Sequence, residues 1–154
     1  MDQNEKNQNP DIGYMITNIS YGIRQYFGNL FAEYDVTYPQ SRVLTRLFAR
    51  LGKGDVNQRD LEYALGIKAS SVSSLVRNLE QKGLITCERL PQDTRNKRIL
   101  LTEKGMQLRD CLEQARNQAE NALVEGLTEE QLTVFRVCLS QVMQNLNSGD
   151  KQAE

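Results

Sequence analysis

From Ile12 onward, apolar residues recur in steps of three and four: Ile12, Met15, Ile16, Ile19, Ile23, Tyr26, Phe27, Leu30, Phe31 and Tyr34. That period predicts one long amphipathic helix. Its stripe is broad and rich in aromatics, more than one small domain covers alone. The polar, Asn/Gln-rich residues before it (1–10) have no apolar core and no cleavage site, so they are expected to be a disordered lead-in rather than a secretory leader.

Thr37-Tyr38-Pro39-Gln40 reads as the next helix start. Thr37 is placed to cap, Gln40 completes a capping box three residues on, and Pro39 falls in the first turn, where its missing N–H costs nothing. This helix is expected to run to about Leu51 with Val43, Leu44, Leu47 and Phe48 inward, followed by a turn at Gly52-Lys53-Gly54-Asp55. Asn57 then reads as the cap of a short helix carrying Leu61, Ala64 and Leu65, which Gly66 ends. A second short helix, Ala69 to Lys82, places Val72, Leu75, Val76 and Leu79 on one face, and Gly83 ends it as a left-handed residue. Two short helices joined by a tight glycine turn make a helix-turn-helix pattern.

After Gly83 the period falls to two. Leu84 to Leu90 reads as a strand, residues 91–96 as a polar turn, and Lys97 to Leu101 as the returning strand. Such a hairpin is marginal alone and must pack on the helices before it. Thr102 is then expected to cap a single helix from Glu103 to about Glu125, with Met106, Cys111, Leu112, Ala115, Ala119, Ala122 and Leu123 on its apolar face. Gly126 breaks it. Thr128 and Gln131 open a last helix bearing Leu132, Phe135, Val142, Met143 and Leu146.

This pattern predicts a mainly α fold with a small β-wing. A winged helix-turn-helix module (37–101) lies between an N-terminal dimerisation helix (11–36) and C-terminal dimerisation helices (102–147), with a polar tail at 148–154. The outer stripes exceed what the middle can bury, which points to a partner surface. A second copy of the chain about a two-fold axis is the simplest partner.

Charge sharpens the picture. Across 154 residues the net charge is −1, yet residues 41–104 hold 13 Lys/Arg against 7 Asp/Glu, a net of +6, leaving −7 to the remainder. A basic middle with acidic flanks suits polyanion binding without indiscriminate adhesion. The chain has no His, which removes Ser-His and Cys-His nucleophile pairs and the His-bearing zinc sites. No carboxylate pair stands out for catalysis, no motif calls for a cofactor, and no apolar run is long enough for a membrane. Cys87, Cys111 and Cys138 are scattered and odd in number, which argues against a disulfide framework and for a reducing, cytoplasmic setting.

At the level of motifs the sequence resembles the MarR family of bacterial transcriptional regulators. Asn57 to Leu61 with Leu65-Gly66-Ile67 is similar to the family's first helix-turn-helix helix and turn. Ser71-Val72-Ser73 to Leu84-Ile85 is similar to its recognition helix and exit. Asp93-Thr94-Arg95-Asn96-Lys97-Arg98 fits its D-x-R-x-x-R wing signature, and Leu101-Thr102-Glu103-Lys104-Gly105 fits the element after the wing. The resemblance covers about residues 11–147, with its specific motifs within 57–105. One departure is Lys68, where many members carry a Ser-type cap. The resemblance implies a homodimer that binds double-stranded DNA at a palindromic operator, commonly as a repressor. It assigns Arg95 a minor-groove contact and Asp93 the task of orienting it.

Opposite the apolar face of the helix from Ala69 stand Ser70, Ser73, Ser74, Arg77 and Gln81. With Ser71, these serines let a backbone approach the major groove closely, and Arg77 reaches a guanine edge or a phosphate. Arg89 and Lys97 suit phosphates. Arg98 has two open readings, a DNA contact or a structural tie at the wing base. Asn57 and Gln58 lie at a helix start that favours phosphate, although capping explains Asn57 equally well.

Relatives commonly release DNA when a small aromatic or anionic effector binds between the dimerisation helices and the winged module. Tyr26, Tyr34, Tyr38, Arg42 and Arg46 lie on elements that would wall such a site, and core packing accounts for each of them too. Other relatives sense oxidants through a reactive Cys. Cys111 and Cys138 fall in apolar stripes as packing residues, and Cys87 is the one near the winged module, where Lys82 and Arg89 would lower its pKa if close. A winged helix used for protein–protein contact without DNA is the competing class, opposed by the basic wing.

Overall fold

The computed structural model describes the backbone of residues 10–90 and 93–149 and the side chains of residues 10–89 and 97–147. Residues 1–9 of the expected disordered lead-in (1–10), the turn residues Pro91 and Gln92, and residues 150–154 of the expected tail (148–154) lie outside the described residues. Among the described residues, seven helices and one hairpin follow in the order α1 (Ile12–Ala32), α2 (Tyr38–Arg50), α3 (Gln58–Leu65), α4 (Ala69–Gln81), β1 (Ile85–Leu90), β2 (Asp93–Leu101), α5 (Glu103–Gln107), α6 (Arg109–Val124) and α7 (Glu129–Gly149). The chain divides into two units, one through Ala119 and one from Glu120.

In the first unit the core is assembled from the stripes that the period marks. Val43, Leu44, Leu61, Val72 and Leu79 are fully buried, joined by Phe27 and Phe31 of α1 and by Leu84, Ile85 and Ile99 of the wing base. Phe27 packs against both Phe31 and Tyr38. Starts and stops follow side-chain chemistry. Thr37 and Gln40 form the reciprocal capping box of α2, and Asn57 forms another for α3 with Asp60. Gly66 and Gly83 turn the chain through positive φ. Lys68 precedes α4 without a side-chain cap, so the departure noted above leaves α4 starting at Ala69 all the same. The N-terminal half of α1 leaves Ile12, Met15, Ile16 and Ile19 exposed.

Several expectations need correction. The helix after the wing is not continuous: α5 stops at Gln107, where the Leu108 N–H bonds back three residues to Gly105, and α6 begins anew. Its first turn is pinned instead to the α4–β1 corner, with the Thr102 hydroxyl donating to the Gly83 carbonyl and Lys104 to that of Lys82. Met106 consequently faces solvent. Ala64 is exposed as well, because on eight residues of α3 the buried stripe is narrow and Leu61 fills it. Ala122 and Leu123, placed on the apolar face by period, are exposed in this chain. The returning strand starts at Asp93 rather than Lys97.

In the second unit, Gly126 has positive φ, and Thr128 with Gln131 caps α7 reciprocally. No described side chain of α7 is buried within the chain. Val134, Phe135, Val137, Leu139, Met143 and Leu146 all stand exposed. Among the described residues no helix is long and apolar enough to cross a membrane, and no cluster suited to a metal ion occurs.

Candidate nucleic-acid interface

The helix-turn-helix is locked at its start. The Ser73 hydroxyl donates to the Gln58 side-chain oxygen at 3.2 Å, tying α4 to the first turn of α3. Ser73 and Gln58 are therefore half-buried partners rather than free reading groups. The stripe that α4 presents to solvent is Ser70, Ser74, Arg77 and Gln81. Ser74 donates its hydroxyl to the Ser70 carbonyl one turn back, which fixes its rotamer and leaves its lone pairs outward.

A neighbouring stripe of α4, with Ser71, Leu75, Asn78 and Lys82, faces a cleft of about 970 Å³ between α1, α2 and the helix-turn-helix. Ser70 and Ser74 stand on the edge that both stripes share. Ser71 thus belongs to the cleft side. Asn78 and Lys82, which the motif reading does not single out, belong there also. Their signal is the period itself: 71, 75, 78 and 82 form one stripe beside the buried one.

The wing pairs Cys87 with Ile99, Glu88 with Arg98 and Arg89 with Lys97. Arg89 and Lys97 are both exposed and directly opposite. Two like charges in that position repel, and an anion between them relieves the repulsion. The next cross-strand pair faces the other side of the hairpin. There Arg98 donates to Glu88 at 2.8 and 3.1 Å and approaches Asp55 at 3.6 Å. Its guanidinium is held still more firmly protonated than usual, first by the Glu88 hydrogen bond and charge, against the opposing effect of burial, with Asp55 adding a lesser push the same way. Beside it the Ile99 N–H donates to the Val56 carbonyl at 2.7 Å, and Asn57 bridges Arg98 along the backbone. Arg98 sits at the base of the wing, where the hairpin joins the segment entering α3.

Leu90 pairs with Asp93, whereas Arg89 pairs with Lys97, so residues 94–96 interrupt the register on β2. Arg95 lies in that irregularity. Bulges of this kind re-aim side chains. The Asp93 and Arg95 side chains, and the contact between them, lie outside the described residues.

Only Tyr38 and Arg42 of the five aromatic and basic effector residues line the cleft; Tyr26, Tyr34 and Arg46 do not. Tyr26 is exposed on α1. The Tyr34 hydroxyl is engaged by Glu33, whose hydrogen bond, ahead of burial and charge, pushes its pKa up. Arg46 has its Nε buried without a hydrogen-bond partner. Tyr26 on α1, Tyr34 in the turn after it and Arg46 on α2 all stand outside the lining of the cleft. The cleft instead gathers Arg24, Arg42 and Lys82 against one carboxylate, Asp35, over an apolar floor that includes Leu65, Ile67 and Leu75. Arg42 donates to the Leu65 carbonyl at 3.2 Å.

Cys87 is not activated. Burial pushes its thiol pKa up, and Glu80 adds to this by its charge and a hydrogen bond, outweighing Lys97. Lys82, expected as a possible activator, is committed to Asp35 instead. Cys111 is half-buried and Cys138 exposed.

Residues 34–96 match the family model described as MarR family. The chain is 31% identical to S. aureus MepR in a crystal structure of the MepR–DNA complex, at a TM-score of 0.80 over 88% of this chain and 96% of that one. It is 28% identical to the HTH-type transcriptional regulator MgrA of Staphylococcus aureus, over 90% of this chain and 92% of that protein. A MarR family transcriptional regulator from Rhodococcus sp. RHA1 matches at 25% identity and a TM-score of 0.73, over 86% of this chain and 91% of that one. With the helix-turn-helix, the basic wing and these matches together, the chain belongs to the MarR family of winged-helix transcriptional regulators.

Proposed function

We propose that the protein is a homodimeric repressor that reads a palindromic DNA operator and releases it when a small anionic or aromatic effector enters the cleft beside α4. The observation that carries the DNA reading is the exposed Ser70–Ser74–Arg77 stripe on α4, flanked by the like-charged Arg89–Lys97 pair on the wing. A relative of 31% identity solved as a DNA complex supports it. In this reading α4 enters the major groove, where Ser70, Ser74 and Arg77 meet base edges, while Arg89 and Lys97 hold phosphates. Arg95 enters the minor groove and Asp93 orients it. Gln58, Ser73 and Arg98 position the reading elements, and Asn57 caps α3, its own N–H taken by Asp60. Exposed apolar residues on α1, and separately on α7, supply the surface for a second copy. The protein acts in the cytoplasm, on duplex DNA.

The effector response is supported by a cleft of ligand size with three cations against one carboxylate. Selection of binding sites from random duplex DNA tests the whole reading. The expected result is a two-fold symmetric site with half-site centres about one helical turn, ~10 bp, apart. Recovery of no enriched sequence, or of sites without symmetry, would refute it.

A further inference from the structure

Two helix ends meet in the first unit. At the end of α1, the Asp35 N–H bonds to the Ala32 carbonyl and the Val36 N–H to that of Phe31. At the end of α4, the Gly83 N–H bonds to the Glu80 carbonyl and the Leu84 N–H to that of Leu79. Both are Schellman caps, which place one residue in the left-handed region. At α4 that residue is Gly83, as expected. At α1 it is Asp35, with φ of 53°, the one non-glycine residue with positive φ among those described. A side chain stands where glycine costs least, and what it does there is visible. The Lys82 ammonium donates to the Asp35 backbone carbonyl, to the Asp35 carboxylate at 3.1 Å and to the Gln40 side-chain oxygen at 3.4 Å. That Gln40 oxygen also accepts the Thr37 N–H that caps α2. The backbone carbonyl of Lys82 accepts from Lys104, which opens α5. One lysine thus joins the end of α1, the start of α2, the end of α4 and the start of α5. Its charge also sits where the negative end of α1 favours a cation.

From this junction we infer that Lys82 is a positioning residue for operator recognition: it fixes the angle of α4 against α1. The inference rests on the DNA-binding dimer proposed above. If α1 carries part of the dimer surface, the angle between α1 and α4 sets the distance between the two recognition helices. That distance is read by the DNA as half-site spacing. Lys82 itself stays in the cleft, off the exposed stripe of α4, so it acts without touching a base.

The test is the affinity of the full-length protein for a series of operators that differ only in half-site spacing, with folding and dimerisation checked in parallel. K82M removes all three bonds. D35G keeps the left-handed cap and relieves its strain, but removes the carboxylate. K82R keeps a donor to the same oxygens. The expected result is that K82M lowers discrimination between the best and the adjacent spacings about fivefold or more, at the lower end of ordinary coupling between sites. D35G gives a smaller loss in the same direction while remaining folded, and K82R retains the wild-type profile. A folded K82M with the wild-type spacing profile would overturn the inference. Should K82M fail to fold, an unchanged profile for D35G overturns it instead. If the wild type itself shows no spacing preference, the dimeric reading falls and the role of Lys82 falls with it.

Discussion

A methyl group on Gly105 would lie 2.1 Å from the backbone carbonyl oxygen of Leu84. Gly105 sits in α5, and Leu84 leads into the first wing strand, so the helix after the wing is pressed directly on the corner before it. The Leu84 carbonyl also accepts the Thr102 N–H at 3.1 Å, which leaves it no room to move away. The glycine of the Leu101-Thr102-Glu103-Lys104-Gly105 motif is therefore set by contact, since Gly105 lies in a helix and needs no positive φ.

Gly105→Ala is accordingly expected to destabilise the protein by about 3 kcal/mol, the upper range of overpacking costs. Chemical denaturation at fixed protein concentration measures it. A loss under ~0.5 kcal/mol, within the range of ordinary surface substitutions, would show that α5 yields freely.

Cys87 is expected to react slowly with iodoacetamide near neutral pH, because burial and Glu80 hold its thiol above the ordinary range and thin out the thiolate. The pH profile of alkylation should rise later than that of free cysteine. Glu80→Gln removes a raising charge, so the profile should shift to lower pH and the neutral rate should increase. A wild-type profile below that of free cysteine would contradict this and reopen a redox role.

Lys97 and Arg77 should separate in their effects on DNA. Lys97→Ala should weaken binding to all sequences alike and reduce the slope of log affinity against log salt by about 1, as the loss of one phosphate contact does. Arg77→Ala should change which bases are preferred. Binding titrations at two salt concentrations, on selected and on scrambled sites, distinguish the two. A sequence-dependent loss for Lys97→Ala would move it from phosphate to base.

Arg95→Ala should fold and dimerise normally but bind operator far more weakly. On the function proposed above, in which Asp93 orients Arg95, Asp93→Ala should show a milder form of the same defect. Equal affinity of Arg95→Ala and wild type would remove the minor-groove contact.

What the sequence disclosed depended on how local the cause was. Capping boxes at Thr37–Gln40 and Thr128–Gln131, and the glycine stops at 66, 83 and 126, depend on neighbours within four residues, and all stand as the chain spells them. The break at Leu108 was not legible, because its setting is tertiary: the first turn of α5 is held on Gly83 and Lys82 by Thr102 and Lys104. For the same reason the two readings of Arg98 could not be resolved from spacing. Asp55 and Glu88 lie forty-three and ten positions away, and only the fold brings both to one guanidinium. The effector residues illustrate a third limit. A stripe names a helix face, but which face closes a cleft depends on where the neighbouring helix lies, and Tyr38 and Arg42 lie there while Tyr26, Tyr34 and Arg46 do not.

The shared edge of α4 has a consequence for how such a protein diverges. Ser70 and Ser74 belong at once to the wall of the cleft and to the stripe turned toward solvent. On the function proposed above, substitutions at Ser71, Leu75 or Asn78 would retune the cleft and spare the solvent-facing stripe. Substitutions at the two shared serines would alter both together. On that same reading, a lineage that changed its small-molecule signal through these serines would change its target site in the same step.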